Sequence, residues 1–158
     1  MKIFLFNIIL AMIWMAVTAT FSFGNLLIGM IIGYFVLLVV GSTIDQSGYT
    51  RKVWKAAILI IFFLKELFVS SVRVAKDVLR PGFRMESGVV AIPLDVTSDF
   101  EIMLLANMIS LTPGTLSLEV SEDRKELFIH AMYIDEGVDH VRESIKNGLE
   151  QYIMEVTR

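Results

Sequence analysis

Apolar side chains fall in three long runs at the front of the chain and in shorter, patterned bursts behind them. Ile3 to Phe21 is interrupted only by Asn7 and two threonines. At about 1.5 Å per residue such a helix crosses a hydrocarbon core of about 30 Å. Ser22, Gly24 and Asn25 then mark a turn, and Leu26 to Val40 forms a second apolar run closing on Gly41-Ser42-Thr43. A third run extends from near Lys52 to Leu79, where Arg80-Pro81-Gly82 stops it. These patterns predict helices over about 3–21, 25–41 and 52–79. A signal peptide competes for the first run, since Lys2 precedes it and Val17-Thr18-Ala19 resembles a cleavage site. Gly29 and Gly33, four apart, admit a close helix neighbour or reflect the ordinary glycine content of membrane helices.

The third run is not uniform. On a wheel of about 100° per residue, Lys55, Glu66, Arg73, Asp77 and Arg80 share a sector of about 60°. Lipid does not tolerate such a stripe, so it is expected to dock against partner subunits, a water-filled cavity or the membrane surface. Lys65 and Glu66 lie mid-segment and point about 100° apart, so each is expected to find its partner elsewhere. One reading makes them a proton or cation relay; the other makes them intersubunit glue or snorkelling groups. Asn7 reads as an interhelical hydrogen bond.

After Gly88 the pattern changes to that of a domain in water. Val89 to Val96 is β-branched and alternating, with Pro93 indicating an edge strand. Ser98 and Glu101 form a capping box, and Phe100, Met103, Leu104, Asn107, Met108 and Leu111 recur at helical spacing up to Pro113-Gly114. Thr115 to Val120 and Leu127 to Ile134 predict a hairpin, and Val141, Ile145, Leu149, Ile153 and Val156 a closing amphipathic helix. The expected fold is therefore three N-terminal hydrophobic helices, a membrane domain over 1–84, followed by a small two-layer α+β domain (β-α-β-β-α) over 85–158.

Charge sharpens this division. Met1 to Thr50 carries only Lys2 and Asp45; Arg51 to Arg84 carries eight bases against two acids; Met85 to Arg158 carries fourteen acids against five bases, a net charge of −9. A basic collar beside apolar helices belongs on the cytoplasmic side, and the acidic domain excludes nucleic acid as a partner. The chain has no cysteine, which removes disulfides and cysteine-held metal. His130 and His140 lack metal-ligand spacing, and no phosphate loop, dinucleotide motif or nucleophile elbow is present. The expectation is no enzyme, no cofactor and no metal.

The stretch Ala106-Asn107-Met108-Ile109-Ser110-Leu111-Thr112-Pro113-Gly114-Thr115-Leu116-Ser117-Leu118-Glu119-Val120-Ser121-Glu122-Asp123, continuing to Leu127-Phe128-Ile129-His130-Ala131, resembles the signature of the MnhE family, small subunits of the Mrp-type (Mnh, Sha) multisubunit Na+/H+ antiporters. Lys65-Glu66-Leu67, Val74-Ala75, Val78-Leu79, Arg80-Pro81 and Ile92-Pro93-Leu94 are similar to further parts of that family. The resemblance implies a multi-pass subunit of a bacterial plasma-membrane complex that exchanges Na+ for H+, supporting sodium tolerance and pH homeostasis. Its partners are then the other subunits and the bilayer, and its α+β domain is cytoplasmic. A membrane-anchored assembly or regulatory module of another complex is the alternative. Glu66 matches the family's acidic residue in the third helix, and Lys65, Arg73 and Asp77 join it as candidate ion-path or intersubunit residues. Asn107, Thr112, Pro113, Gly114 and Thr115 form a signature with a structural explanation, a helix-to-strand connection whose angles Pro and Gly set.

Overall fold

Asn25 decides where the first helix stops. Its side-chain amide donates to Thr18 Oγ1 and the Thr20 carbonyl, both at 2.7 Å, and its Oδ1 accepts from Trp14 Nε1 at 3.0 Å. The chain turns back through Ala19, whose φ is +51°. Helix α1 accordingly spans Lys2–Val17, short of the expected residue 21, and α2 runs Phe23–Ile44. The computed structural model describes residues 2–44, 48–80, 85–135 and 137–158.

Two compact units result, Met1–Trp54 and Lys55–Arg158. The division falls well before the change in composition at residue 85, because α3 (Tyr49–Leu79) belongs from Lys55 onward with the C-terminal domain. Pro81 and Gly82, the expected helix stop, lie outside the described residues.

In the first unit, the glycines four apart on α2 face α1 of the same hairpin. A Cβ on Gly29 would stand 2.9 Å from Ala11 Cα, and one on Gly33 would overlap Asn7 Oδ1. Ile3, Asn7 and Ala11 are buried there. Asn7 donates to the Tyr49 hydroxyl at 3.1 Å, while its Oδ1 finds no partner among the described residues. Phe23–Val40 of α2 is long and apolar enough to cross a membrane; the apolar stretch of α1, Ile3–Val17, is shorter. No such span occurs in α3 among the described residues, so the expectation of three spanning helices is not met by length and composition.

The second unit adds a three-stranded antiparallel sheet to α3. Strands β1 (Gly88–Pro93), β2 (Thr115–Val120) and β3 (Glu126–Ala131) lie in the order β1-β3-β2. Pro93, which has no N–H to donate, stands on the edge strand its identity predicts. Both free edges are covered. Arg142 Nε and Lys146 Nζ donate to the Ala91 and Pro93 carbonyls of β1, and Ser110 Oγ of α4 (Asp99–Leu111) accepts the Ser117 N–H of β2. Uncovered sheet edges pair with foreign chains, and these side chains prevent it.

One face of the sheet packs Val90, Ile92, Leu127 and Ile129 against Leu59, Ile102, Leu105, Ile109, Ile145, Leu149 and Ile153 from the helices. The other face leaves Val89, Leu116 and Leu118 exposed. Helix α4 differs from its expected orientation: Phe100, Met103, Asn107 and Leu111 face outward, and Ile102, Leu105, Met108 and Ile109 form the core. Apolar residues lie all round this helix, so periodicity alone did not distinguish the two faces.

The closing helix is broken into α5 (Val138–Ile145) and α6 (Gln151–Thr157) by a π turn over Lys146–Glu150. Gly148 adopts φ −104°, ψ −108°, and a Cβ there would stand 3.1 Å from the Phe62 ring of α3. The wider turn falls between Ile145 and Leu149, four apart and both buried, where a regular helix would rotate one from the other by about 40°. It brings Glu150 fully inside. Glu150 Oε1 accepts from the Asp95 and Val96 amides at 2.6 and 3.1 Å, and Lys146 Nζ lies 3.4 Å from its Oε2. Glu101 takes the next two amides, Thr97 and Ser98, and accepts from Thr157 Oγ1. Two buried carboxylates thus hold four successive amides of the β1–α4 connection.

Glu150→Ala leaves the Asp95 and Val96 amides without their acceptor and Lys146 with Asp95, 2.8 Å away, as its remaining carboxylate, and is expected to cost about 3–5 kcal/mol, read as lost thermal stability of the purified full-length chain. The Thr157 hydroxyl, ahead of the Ser98 amide, lowers the Glu101 pKa from 4.5 to about 2. Its contribution, about 3 kcal/mol, is therefore complete above pH 4.5 and lost as pH falls towards 2. Glu101→Gln should lower the melting temperature at pH 7 and flatten its fall through that acid window.

Candidate functional site

The polar stripe of α3 faces its own chain. Lys55 Nζ lies 3.7 Å from Glu155 of α6, Phe62 packs on Tyr152 with ring centroids 4.7 Å apart, and the Arg73 guanidinium stands 5.0 Å above the centre of the Tyr133 ring. Within the chain the α+β domain meets this stripe at Lys55, Phe62 and Arg73, while Arg73 and Arg80 stay exposed. A helix interrupted by charges cannot pack on lipid along that side, and a domain supplying carboxylates, hydroxyls and aromatic faces can satisfy it.

Between α3 and the domain lies a cavity of about 320 Å³. Its floor is apolar, from Ile109, Val141, Ile145 and Leu149. Its rim is polar: Glu66, Ser70 and Arg73 from α3 face His140 and Ser144 from α5. Thr112, Pro113, Gly114 and Thr115 form a third wall, with Tyr133 beside them.

The Thr-Pro-Gly-Thr wall is built by its own side chains. Thr112 and Thr115 Oγ1 both donate to the Ile109 carbonyl at 2.7 Å, closing the C-terminus of α4. Gly114 sits at φ +94°, and a Cβ there would stand 3.2 Å from Tyr133 Cε2. Its carbonyl accepts from the Met132 N–H at 2.8 Å. Glycine is required here by backbone angle and by space together. Burial, then the Asp77 carboxylate beside it, push the Tyr133 hydroxyl up to about 12, so it stays protonated even in alkaline conditions. That hydroxyl has no hydrogen bond of full geometry among the described residues.

Of the candidates in α3, Glu66 and Arg73 line the cavity, Asp77 stands by Tyr133, and Lys65 points away. Lys65 nevertheless reaches Glu66, Nζ to Oε1 3.7 Å, contrary to the expectation that neighbours do not pair. A long lysine stem spans the 100° between them. At this exposure the contact contributes little, about 0–1 kcal/mol. Asn107 lies outside the cavity, on the exposed side of α4, donating to the Met103 carbonyl at 2.9 Å. Tyr133 and Ser144 are not marked by the sequence pattern, and His140 is weighed there only as a metal ligand: each comes from an element whose periodicity singles out only core positions. Glu150 and Lys146 were not marked either, and their spacing of four was the one available signal.

The cavity offers one carboxylate, one guanidinium, one imidazole and several hydroxyls, an array for binding and positioning. Among the described residues no three His, Cys, Asp or Glu side chains gather as a metal site. The chain thus combines an apolar hairpin, one of whose helices is long and apolar enough to cross a membrane, with a two-faced helix and an α+β domain that carries this cavity. Similarity to known proteins agrees and goes further. A family model described as Na+/H+ ion antiporter subunit (MnhE) matches residues 7–156. An antiporter subunit of the same type from Alkalihalophilus pseudofirmus is 37% identical over 154 residues, 98% of this chain and 97% of that one. A chain in the Mrp complex from Dietzia sp. superposes with a TM-score of 0.51 at 27% identity, over 65% of this chain and 96% of that one. A chain of the membrane-bound sulfane sulfur reductase, an archaeal respiratory membrane complex, shares the fold with a TM-score of 0.55 at 24% identity over 96% of both. The chain belongs to the MnhE family of Na+/H+ ion antiporter subunits.

Gly114→Val, which meets both the positive φ and the Tyr133 ring, is expected to cost about 1–3 kcal/mol in the thermal unfolding of the full-length chain. Gly24→Ala, where nothing lies within 4 Å, should leave the melting temperature within a degree or two.

Proposed function

We propose that this chain is a non-catalytic structural and coupling subunit of a multisubunit Na+/H+ antiporter in the bacterial plasma membrane. The α1–α2 hairpin anchors it, the α+β domain lies in the cytoplasm beside the basic collar, and other subunits carry Na+ and H+. One observation carries the non-catalytic reading. Of the ionisable residues of α3 that suggested an ion path, Glu66, Arg73 and Asp77 turn to this chain's own domain and Lys65 turns outward. An ion path needs such groups in file across the hydrocarbon. Here Arg73 and Asp77 meet Tyr133 of the domain and Glu66 lines the cavity between them, with the Thr112–Thr115 signature in the same lining. The role that follows is to hold a rigid domain at the membrane surface for neighbouring subunits.

Deleting the gene from a host with no other Na+ exporter is expected to abolish sodium tolerance and Na+/H+ exchange in everted vesicles, and unchanged exchange refutes the assignment. Glu66→Ala should lower exchange severalfold in step with the amount of this chain retained in the complex on native gels. Lost exchange in a fully assembled complex would instead make Glu66 a relay.

A further inference from the structure

We infer that α3 is not a third span: it lies flat on the cytoplasmic surface of the bilayer, its outer face in the acyl chains and its polar face carrying the α+β domain. This rests on the reading above that the hairpin is membrane-embedded.

Two opposed faces carry the argument. Stepping about 100° per residue, Ile60, Ile61, Leu64, Phe68 and Leu79 fall on the side opposite Glu66, Arg73 and Asp77. All five are exposed, Phe68 to 70%. Meanwhile the domain holds the inner face from Lys55 to Asp77. That is about 33 Å of helix, the full thickness of a hydrocarbon core of about 30 Å. Were α3 to stand upright, the domain would stand in the hydrocarbon beside it, with a net charge of −9 over 85–158. Burying even one such charge is prohibitive. With α3 in the plane, the same contacts leave the domain in water and the apolar arc in lipid, the geometry of interfacial amphipathic helices.

Charge complementarity selects lipid over a protein surface as the occupant. Lys65 and Lys76 are exposed at the border of the arc, where their stems can run along it and their ammonium groups can meet anionic headgroups. The whole segment 51–84 carries eight bases against two acids. Only Asp45 to Gly48 separate α2 from α3, so the chain enters α3 at the membrane surface.

The native chain has no cysteine, which permits a direct test. Gly24→Cys in the α1–α2 turn region and Glu122→Cys in the β2–β3 turn are exposed to an impermeant thiol reagent in intact cells. With α3 flat, the two lie on opposite sides, so Gly24→Cys is labelled from outside and Glu122→Cys only after lysis. Labelling of both, or of neither before lysis, means a second crossing between them and overturns the proposal. Spin labels at Ile61→Cys, Phe68→Cys and Leu79→Cys in the full-length chain, reconstituted in phosphatidylcholine–phosphatidylglycerol vesicles, should report one shared depth of about 5–10 Å below the headgroups. A depth that changes steadily along the helix, or full exposure to water, also overturns it. Release of the chain by alkaline carbonate defeats the hairpin reading and this inference together. Failure to restore sodium tolerance with the predicted labelling intact defeats only the antiporter assignment.

Discussion

A helix that is polar along one side and apolar along the other can be satisfied only at a boundary, and α3 makes that boundary within a single chain. Its charged stripe would be intolerable in hydrocarbon, so the α+β domain folds over it. The consequences pass through the packing. Leu59 enters the domain core, Phe62 packs tightly on Gly148, and the C-terminal helix widens into a π turn at that point. The turn carries Glu150 inward, and Glu150 with Glu101 fixes the connection from β1 to α4. Lys146 closes the circuit. Burial opposes its charge, yet the hydrogen bond to Asp95 and the charge of Glu150 prevail and raise its pKa.

The cavity is a by-product of this arrangement as much as a site. Charged groups from α3 and hydroxyls from the α4–β2 connection need water or one another, and an interface filled wholly by side chains would strand some of them. The same economy explains why the residues of the family signature are small or conformationally special. Thr112 and Thr115 finish a helix, Pro113 and Gly114 reverse the chain, and the bare α-carbon of Gly114 admits the Tyr133 ring that Arg73 covers. A signature of this kind records what the fold needs at a crowded corner.

Much of this was legible in the residues. Alternation located β2 residue for residue, Pro93 marked an edge, and Ser98 with Glu101 announced a cap that forms in full. The stripe on α3 was visible as a stripe. Its partner was not, because periodicity reports which face of a helix is polar and says nothing of what meets it. Helix α4 failed for a related reason: with apolar residues on every side, the outward set Phe100, Met103 and Leu111 reads as well as the inward one.

Sequence alone therefore determined the local and the one-dimensional: the order of elements, their approximate ends, the separation of an apolar front from an acidic back, and the family. Tertiary structure decided whatever depends on two distant segments meeting. That includes the assignment of Gly29 and Gly33 to α1, the turning of Glu66 and Arg73 towards Tyr133 and His140, and the burial of Glu150. The physical reason is that local hydrogen bonding and side-chain spacing act over a few residues, whereas packing and charge compensation are properties of surfaces that exist only after the chain has folded.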